Sequence, residues 1–474
     1  MVRSGTVLVF SSLVALGQSG TFMATGNMSE SRAGHTATLL QSGKVLVCGG
    51  SGGYNGTVLA SAELYDAGTG AFTPTGNMTT ARLGHTATLL PDGKVLIAGG
   101  QSNIDYPLAV SHSAELYDPS TGAFAATGDM KKERLGHSAT LLTDGRVLIA
   151  GGNGFIEANY LISSAEIYNP LTATFTTTGN TNTARFGASA ALLPNGRVLI
   201  AGGHNGDDGP ILKIESYDPA TGIFSLAGET GFPSSVGPDI MSVLASGRVL
   251  INMILYDRTT PDAQLYDPAS MSFTLTGSMT VQRSFTSTLL STGTVLTAGD
   301  WSADVYDPAT GVFSRAGDLI TARTGHTATL LADGTVLLAG GSSAINASSY
   351  LNKAELFRPS VATPSPALYA LPGAAQGAIW HATTGDVADP SKPAVAGEVL
   401  AMYVSNLIER GVIPPQVAIG GQLAEIVYFG DAPGYPSYSQ VNFRVPNGIG
   451  PGATVPVRMN YLGRLSNEVT LAVQ

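Results

Sequence analysis

The sequence predicts an all-β protein, a seven-bladed β-propeller followed by a smaller β-sandwich. Three observations predict it. The phrase GHTATLLPDGKVLIAGG at 84–100 returns almost unchanged at 34–50, 136–152 and 325–341. Weaker copies bring the second-strand valines to seven, Val45, Val95, Val147, Val198, Val249, Val295 and Val336, spaced 50, 52, 51, 51, 46 and 41 residues apart. A repeat of that length holding four strand-like segments is the signature of a propeller blade. After Phe357 the phrase vanishes, and alternating strands of another kind begin.

The composition fits. Among 474 residues 59 are Gly, only 12 % are charged, and the net charge is −10. Many strands joined by tight turns have this profile. The acidic balance argues against nucleic acid or an anionic membrane as partner. The single cysteine, Cys48, forbids an intramolecular disulfide. It replaces the Ala of VLIAGG, so it reads as a small buried residue.

The N-terminus reads in two ways. Arg3 followed by the apolar run Thr6–Leu16 and Ala15-Leu16-Gly17 looks like a secretory signal over residues 1–17, too short to span a bilayer. GTVLVF at 5–10 also echoes GTVLLAG at 334–340. The export reading is preferred, and with it a secreted or cell-surface setting.

Each repeat unit, within 18–358, reads alike. A first strand (HTATLL) meets an Asp-Gly or Asn-Gly turn, predicted as a type I′ hairpin. A second strand ends in Gly-Gly, where backbones approach closely or turn sharply. A variable loop leads to a third strand (SAELYD, 113–118), then a Pro-x-Thr-Gly turn and a fourth strand (AFAATGDM, 123–130). Tyr65, Tyr117, Tyr168, Tyr217, Tyr266 and Tyr306 recur in strand three, and Phe72, Phe124, Phe175, Phe224, Phe273 and Phe313 in strand four. Rings at fixed positions are core material for sheets stacked around an axis. The last copy stops at Phe357 without its fourth strand, while Thr21–Met28 supplies that strand's wording. The chain's first strand is therefore expected to complete the last blade and leave no open edge. Unit five (229–277) is degenerate, and six blades would result if it were not a blade.

These residues resemble the kelch family: the Gly-Gly pair, the tyrosine after it, and an aromatic in strand four, here Phe for the usual Trp. DGKVLIAGG…AELYDPSTGAF is most similar to bacterial kelch repeats related to the propeller of galactose oxidase. The resemblance covers residues 5–358 and implies a kelch-type propeller; kelch propellers do many things, so it implies little about activity.

A Pro/Ser-rich linker at 359–367 reads as semi-rigid. Beyond it, at 368–474, VLAMYV (399–404), AEIVYF (424–429), VNFRV (441–445), VPVRM (455–459) and VTLAV (469–473) alternate between Gly, Pro and Asn turns, which indicates an Ig-like β-sandwich. GEVLAMYVSNL, IGGQLAEIVYFGDAPG, QVNFRVP and SNEVTLAV resemble a C-terminal Ig-like domain of exported acidobacterial proteins. That likeness implies an exported or surface setting.

Topology sorts the loops. Strand order puts the Asp-Gly and Asp-Pro-x-Thr-Gly turns on one face and the variable loops after Gly-Gly on the other, where function is expected. Rim arginines precede strand one at Arg32, Arg82, Arg134, Arg185, Arg283 and Arg323, with Val236 in unit five. A ring of guanidinium forks suits a carboxylate or sulfate. The better-supported reading pairs them with strand-three acids, Glu63, Glu115, Glu166, Glu215, Glu355 and Asp304, because unit five loses both charges and carries Gln264. His35, His85, His137 and His326 recur by unit and read as packing residues, with no metal site expected.

Ligand-binding candidates on the loop face are Tyr54, Tyr106, Tyr160, His204, Asp207, Asp208, Trp301 and Tyr350. Aromatic rings with amides and carboxylates suit a carbohydrate, and the same loops can hold a protein ligand. The galactose oxidase likeness raises a copper radical oxidase, which needs a Tyr–Cys cross-linked ligand, a second Tyr and two His. Cys48 lies in a predicted strand, and His112, His204 and His381 are the only histidines outside the repeat, so no copper or other cofactor is expected. A paired-carboxylate glycosidase would draw on Asp105, Glu157, Asp207 and Asp208. The preferred reading is a non-catalytic, exported, monomeric binding protein.

Overall fold

A computed structural model describes residues 20–474 except 54–55, 106–107, 155–160, 206–210, 231–239, 253–262, 282–283, 345–348, 362–364, 408–411, 436–437 and 462–463. The signal-like segment lies outside the described residues. No helix among them is long and apolar enough to cross a membrane.

Seven four-stranded antiparallel sheets form the propeller. In the first, Thr36–Leu39 is innermost, followed outward by Val45–Cys48, Ala62–Asp66 and Ala71–Pro74. The innermost strands of successive blades touch around the whole ring, from Thr36–Leu39 through to Thr327–Leu330 and back. The degenerate unit five is a true blade, built from Ile240–Val243, Val249–Asn252, Ala263–Asp267 and Ser272–Leu275. The ring closes as the repeat wording implies. Gly20–Ala24 pairs with Ala354–Pro359 in the seventh blade, with Phe22 opposite Phe357.

The first hairpin turn differs from the type I′ expectation. Only its glycine takes positive φ, at Gly43, Gly93, Gly145, Gly196, Gly247, Gly293 and Gly334. The Gly93 N–H donates to the Leu90 carbonyl across Pro91 and Asp92, and Leu90 N–H donates to the Lys94 carbonyl. That is a three-residue loop, a type I turn followed by a left-handed glycine. Pro91 fits the first central position because its φ is fixed near −65°.

Blades are tied through the repeated residues. Each strand-three tyrosine packs on the strand-four phenylalanine of its own blade, with ring centroids 4.8 Å apart for Tyr117 and Phe124. Its hydroxyl also reaches the preceding blade: Tyr65 bonds Thr25 at 2.8 Å and Tyr117 bonds Thr75 at 2.9 Å. The Gly-Gly pair forms a second tie. Gly50 N–H donates to the Arg82 carbonyl at 2.8 Å, and Gly341 N–H does the same to Arg32 across the closure. A Cβ on Gly49 would stand 2.6 Å from the Arg82 carbonyl oxygen, so only glycine admits this approach.

Among the described residues nine strands make the second all-β domain, seven along one hydrogen-bonded path, with Ile379–His381 and Val469–Val473 branching from it onto Val399–Ser405 and Gly452–Tyr461. Gln422–Asp431 serves both halves, pairing with Gln416–Ile419 on one side and Ser439–Arg444 on the other, with a bulge between Ile426 and Tyr428. The halves enclose one core, to which Leu400, Met402 and Phe443 contribute from one side and Val417, Val457 and Leu471 from the other. Every run of alternating residues predicted as a strand here lies in one, except that the strand over VNFRV ends one residue early, at Arg444.

Candidate functional site

The second domain sits on the hairpin-turn face of the propeller. Arg458 Nη1 donates to Gln41 Oε1 at 2.9 Å, and Val412 N–H donates to the Ala245 carbonyl at 2.9 Å. Between the turns of blades three and four and this domain lies a cavity of about 670 Å³, lined by Leu192, Pro194, Ile413, Pro415 and Ile426 among others. The opposite face, carrying the loops after Gly-Gly, is where the sequence places variable residues.

Three ligand candidates fall within the described loops. Trp301 follows the second strand of blade six and is 54 % exposed. Tyr350 bridges to the Ser342 backbone in blade seven. Its hydroxyl lies 2.9 Å from where a Cβ on Gly56 would be, so it meets the loop of blade one. His204 in blade four forms a backbone bridge with Phe186. Tyr54, Tyr106, Tyr160, Asp207, Asp208 and Arg283 lie outside the described residues, as does Glu157.

The arginines are not a rim. Arg32, Arg82, Arg134, Arg185 and Arg323 are 0–1 % exposed, so they offer no guanidinium to an outside anion. Each turns into its own blade and meets the strand-three glutamate at 2.6–3.0 Å. A second guanidinium nitrogen donates to the carbonyl of the first glycine of the pair, as Arg134 does to Gly151 at 2.8 Å. The far carboxylate oxygen accepts a backbone N–H just upstream of the arginine, such as Lys131 N–H on Glu166 at 2.7 Å. A charge taken from water costs several kcal/mol unless paired and bonded, and this network supplies most of the partners, leaving Nε of Arg32 and Arg134 without one. Asp304 in blade six accepts from the backbone of Thr280 and Val281.

The repeated histidines form a belt between blades. Nε2 of His85 lies 3.0 Å from the Thr36 hydroxyl, His137 lies 2.9 Å from Thr86, and His35 lies 3.0 Å from Thr327. Burial, with a neighbouring arginine adding to it, lowers the pKa of His35, His85, His137 and His326 to about 3. They are neutral structural groups at physiological pH.

A copper radical centre does not fit the described residues. The Cys48 side chain is fully buried in Val45–Cys48, with its sulfur 3.2 Å from the Thr36 hydroxyl, and burial pushes its thiol up to about 11. A thiol in that state is unreactive. The repeat tyrosines bond threonines or a backbone carbonyl. His112 stands exposed, 3.8 Å from Asp129, and His381 belongs to the second domain, bonded to Glu398. Among the described residues no three His, Cys, Asp or Glu side chains group to hold a metal.

The fold and site thus define a closed seven-bladed propeller with an all-β domain seated on its turn face. No protein-family model matches the chain, and no curated protein matches it. Many solved structures share the architecture. One is a fungal alcohol oxidase of the AA5 family in complex with copper, 16 % identical, with a TM-score of 0.60 over 96 % of this chain and 99 % of that one. At that identity the likeness is one of galactose oxidase-like fold.

Proposed function

We propose that this chain is a non-catalytic binding protein that takes a carbohydrate or protein ligand at the loop face of its propeller, with an Ig-like second domain as support. The observation that carries this reading is the asymmetry of the two faces. Arg458, Val412 and the walls of the interdomain cavity occupy the turn face, which leaves the loop face for a ligand. Trp301 is exposed there, and Tyr350 of blade seven reaches the blade-one loop. A flat ring can cover the C–H groups of a sugar and a phenol can bond its hydroxyls, so both residue types suit a carbohydrate ligand. The buried Cys48 and the neutral histidine belt supply no nucleophile or base to this face.

The test is a glycan array probed with the full chain, followed by analysis of each hit for cleavage and for peroxide release with added copper. Binding without turnover, weakened about tenfold by Trp301→Ala, is expected; truncating a central aromatic typically costs more than 1 kcal/mol. Cleavage or copper-dependent peroxide would replace the reading with an enzymatic one, and binding indifferent to Trp301→Ala would remove the loop face from it.

A further inference from the structure

The second domain carries aromatic side chains that its core does not use. Ile379, Met402 and Val404 enter the core, and the alternate positions on the same strands send Trp380 and Tyr403 to the outer face. Their ring centroids are 5.3 Å apart with 59° between planes. Tyr435, from the turn after Gln422–Asp431, lies 5.2 Å from Tyr403 at 49° and is 55 % exposed. A second pair, Tyr369 and Tyr438, stands 5.4 Å apart at 62°, with 38 % and 41 % exposure. Next to Tyr403 in register is Gln440, whose side-chain amide donates to Asn442 Oδ1 at 2.8 Å.

This face has a definite chemistry. Soluble proteins seldom leave aromatic clusters in water unless something binds them. The rings are tilted against one another; Trp380 and Tyr403 are half-buried, and Tyr435 is the most open of the three. Trp and Tyr carry an apolar body with a polar edge, and the neighbouring amides both donate and accept. A pyranose offers the complement, C–H groups across its face and hydroxyls around its rim. Two flanking charge pairs, Arg444 with Glu425 at 2.8 Å and Lys392 with Asp386 at 2.7 Å, neutralise one another, and the amides of Gln440 and Asn442 between them suit an uncharged ligand. A row of rings on a rigid sheet fits an extended chain of sugars.

We propose that the outer face formed by Trp380, Tyr403 and Tyr435, flanked by Gln440, binds a neutral polysaccharide. This surface is separate from the propeller's loop face, and either can fail alone. The test is native affinity electrophoresis of the full chain in gels containing hydroxyethylcellulose, xylan, galactomannan or glucomannan. At least one should retard the wild type. Trp380→Ala and Tyr435→Ala should each raise the apparent Kd about tenfold, about 1.4 kcal/mol, and Tyr435→Phe should bind as wild type. Tyr435 stands in an exposed turn, so an unchanged Tm for Tyr435→Ala separates lost binding from lost fold. Trp301→Ala should migrate with the wild type. The proposal is overturned if none of the four polysaccharides retards the wild type, if Tyr435→Ala is retarded equally, or if Trp301→Ala alone abolishes retardation.

Discussion

At the scale of single residues, the chain is governed by where a Cβ can stand. The turn between strands three and four ends at a left-handed position held by Gly70, Gly122, Gly222 and Gly311, and in two blades by Ala173 and Met271, both at φ 53°. An L-residue there costs roughly 1–2 kcal/mol, partly offset by the entropy glycine loses on folding. Ala173→Gly and Met271→Gly should therefore each stabilise the protein by about 0.5–1 kcal/mol, read as a raised denaturant midpoint; an unchanged or lowered midpoint would mean the strain is relieved elsewhere. Gly26 is the reverse case. A Cβ on it would lie 2.3 Å from the Gly70 carbonyl oxygen and 3.3 Å from the Ala71 Cα, backbone atoms that cannot swing aside, so Gly26→Ala should be clearly destabilising.

At the scale of the element, five blades are each locked by one buried Arg–Glu pair, and four histidines, His35, His85, His137 and His326, link neighbouring blades. Arg134→Ala or Glu166→Ala strands a charge in the interior and should cost about 3–5 kcal/mol each. The double variant should lose much less than their sum, because removing both leaves no bare charge. Additive losses in a double-mutant cycle would mean the two act independently. The histidines set a pH dependence. Their folded pKa lies near 3, below the unfolded value of 6.5, so the unfolded chain binds more protons between those values. The stability they contribute is complete above pH 6.5 and is lost on acidification towards 3, by about 1.4 kcal/mol per pH unit for each histidine. Between pH 6.5 and 5, before carboxylates titrate, His85→Gln should reduce the slope of stability against pH by one proton. An unaltered slope would mean that His85 is not held neutral.

At the scale of the whole molecule, the repeat made the ring legible. Seven valines spaced 41–52 residues apart pointed to seven blades, with six left open by the degenerate unit five, and the orphan wording at Thr21–Met28 matched the gap left after Phe357. The Arg–Glu pairing was legible because blade five lost both partners together, with Gln264 where the others carry an acid. Less could be read where the signal was not periodic. The turn type was missed because Asp-Gly serves both two- and three-residue loops, and the choice depends on strand register. The aromatic face of the second domain escaped notice because Trp380, Tyr403 and Tyr435 come from separate segments that only the folded sheet brings together. The short strands Gln416–Ile419 and Arg464–Leu465 carry too few residues to show alternation.

Everything at this largest scale rests on the join between the chain's first strand and its last blade. An open ring would expose the backbone groups of Ala354–Pro359 and loosen the ties from Gly341 to Arg32 and from His35 to Thr327. Amide hydrogen exchange of the native protein, read on peptides covering 20–26 and 354–359, tests the join most directly. The account predicts that both peptides are protected together and open together as denaturant is added; full exchange of 20–26 at the earliest time, with 354–359 still protected or equally bare, would contradict it.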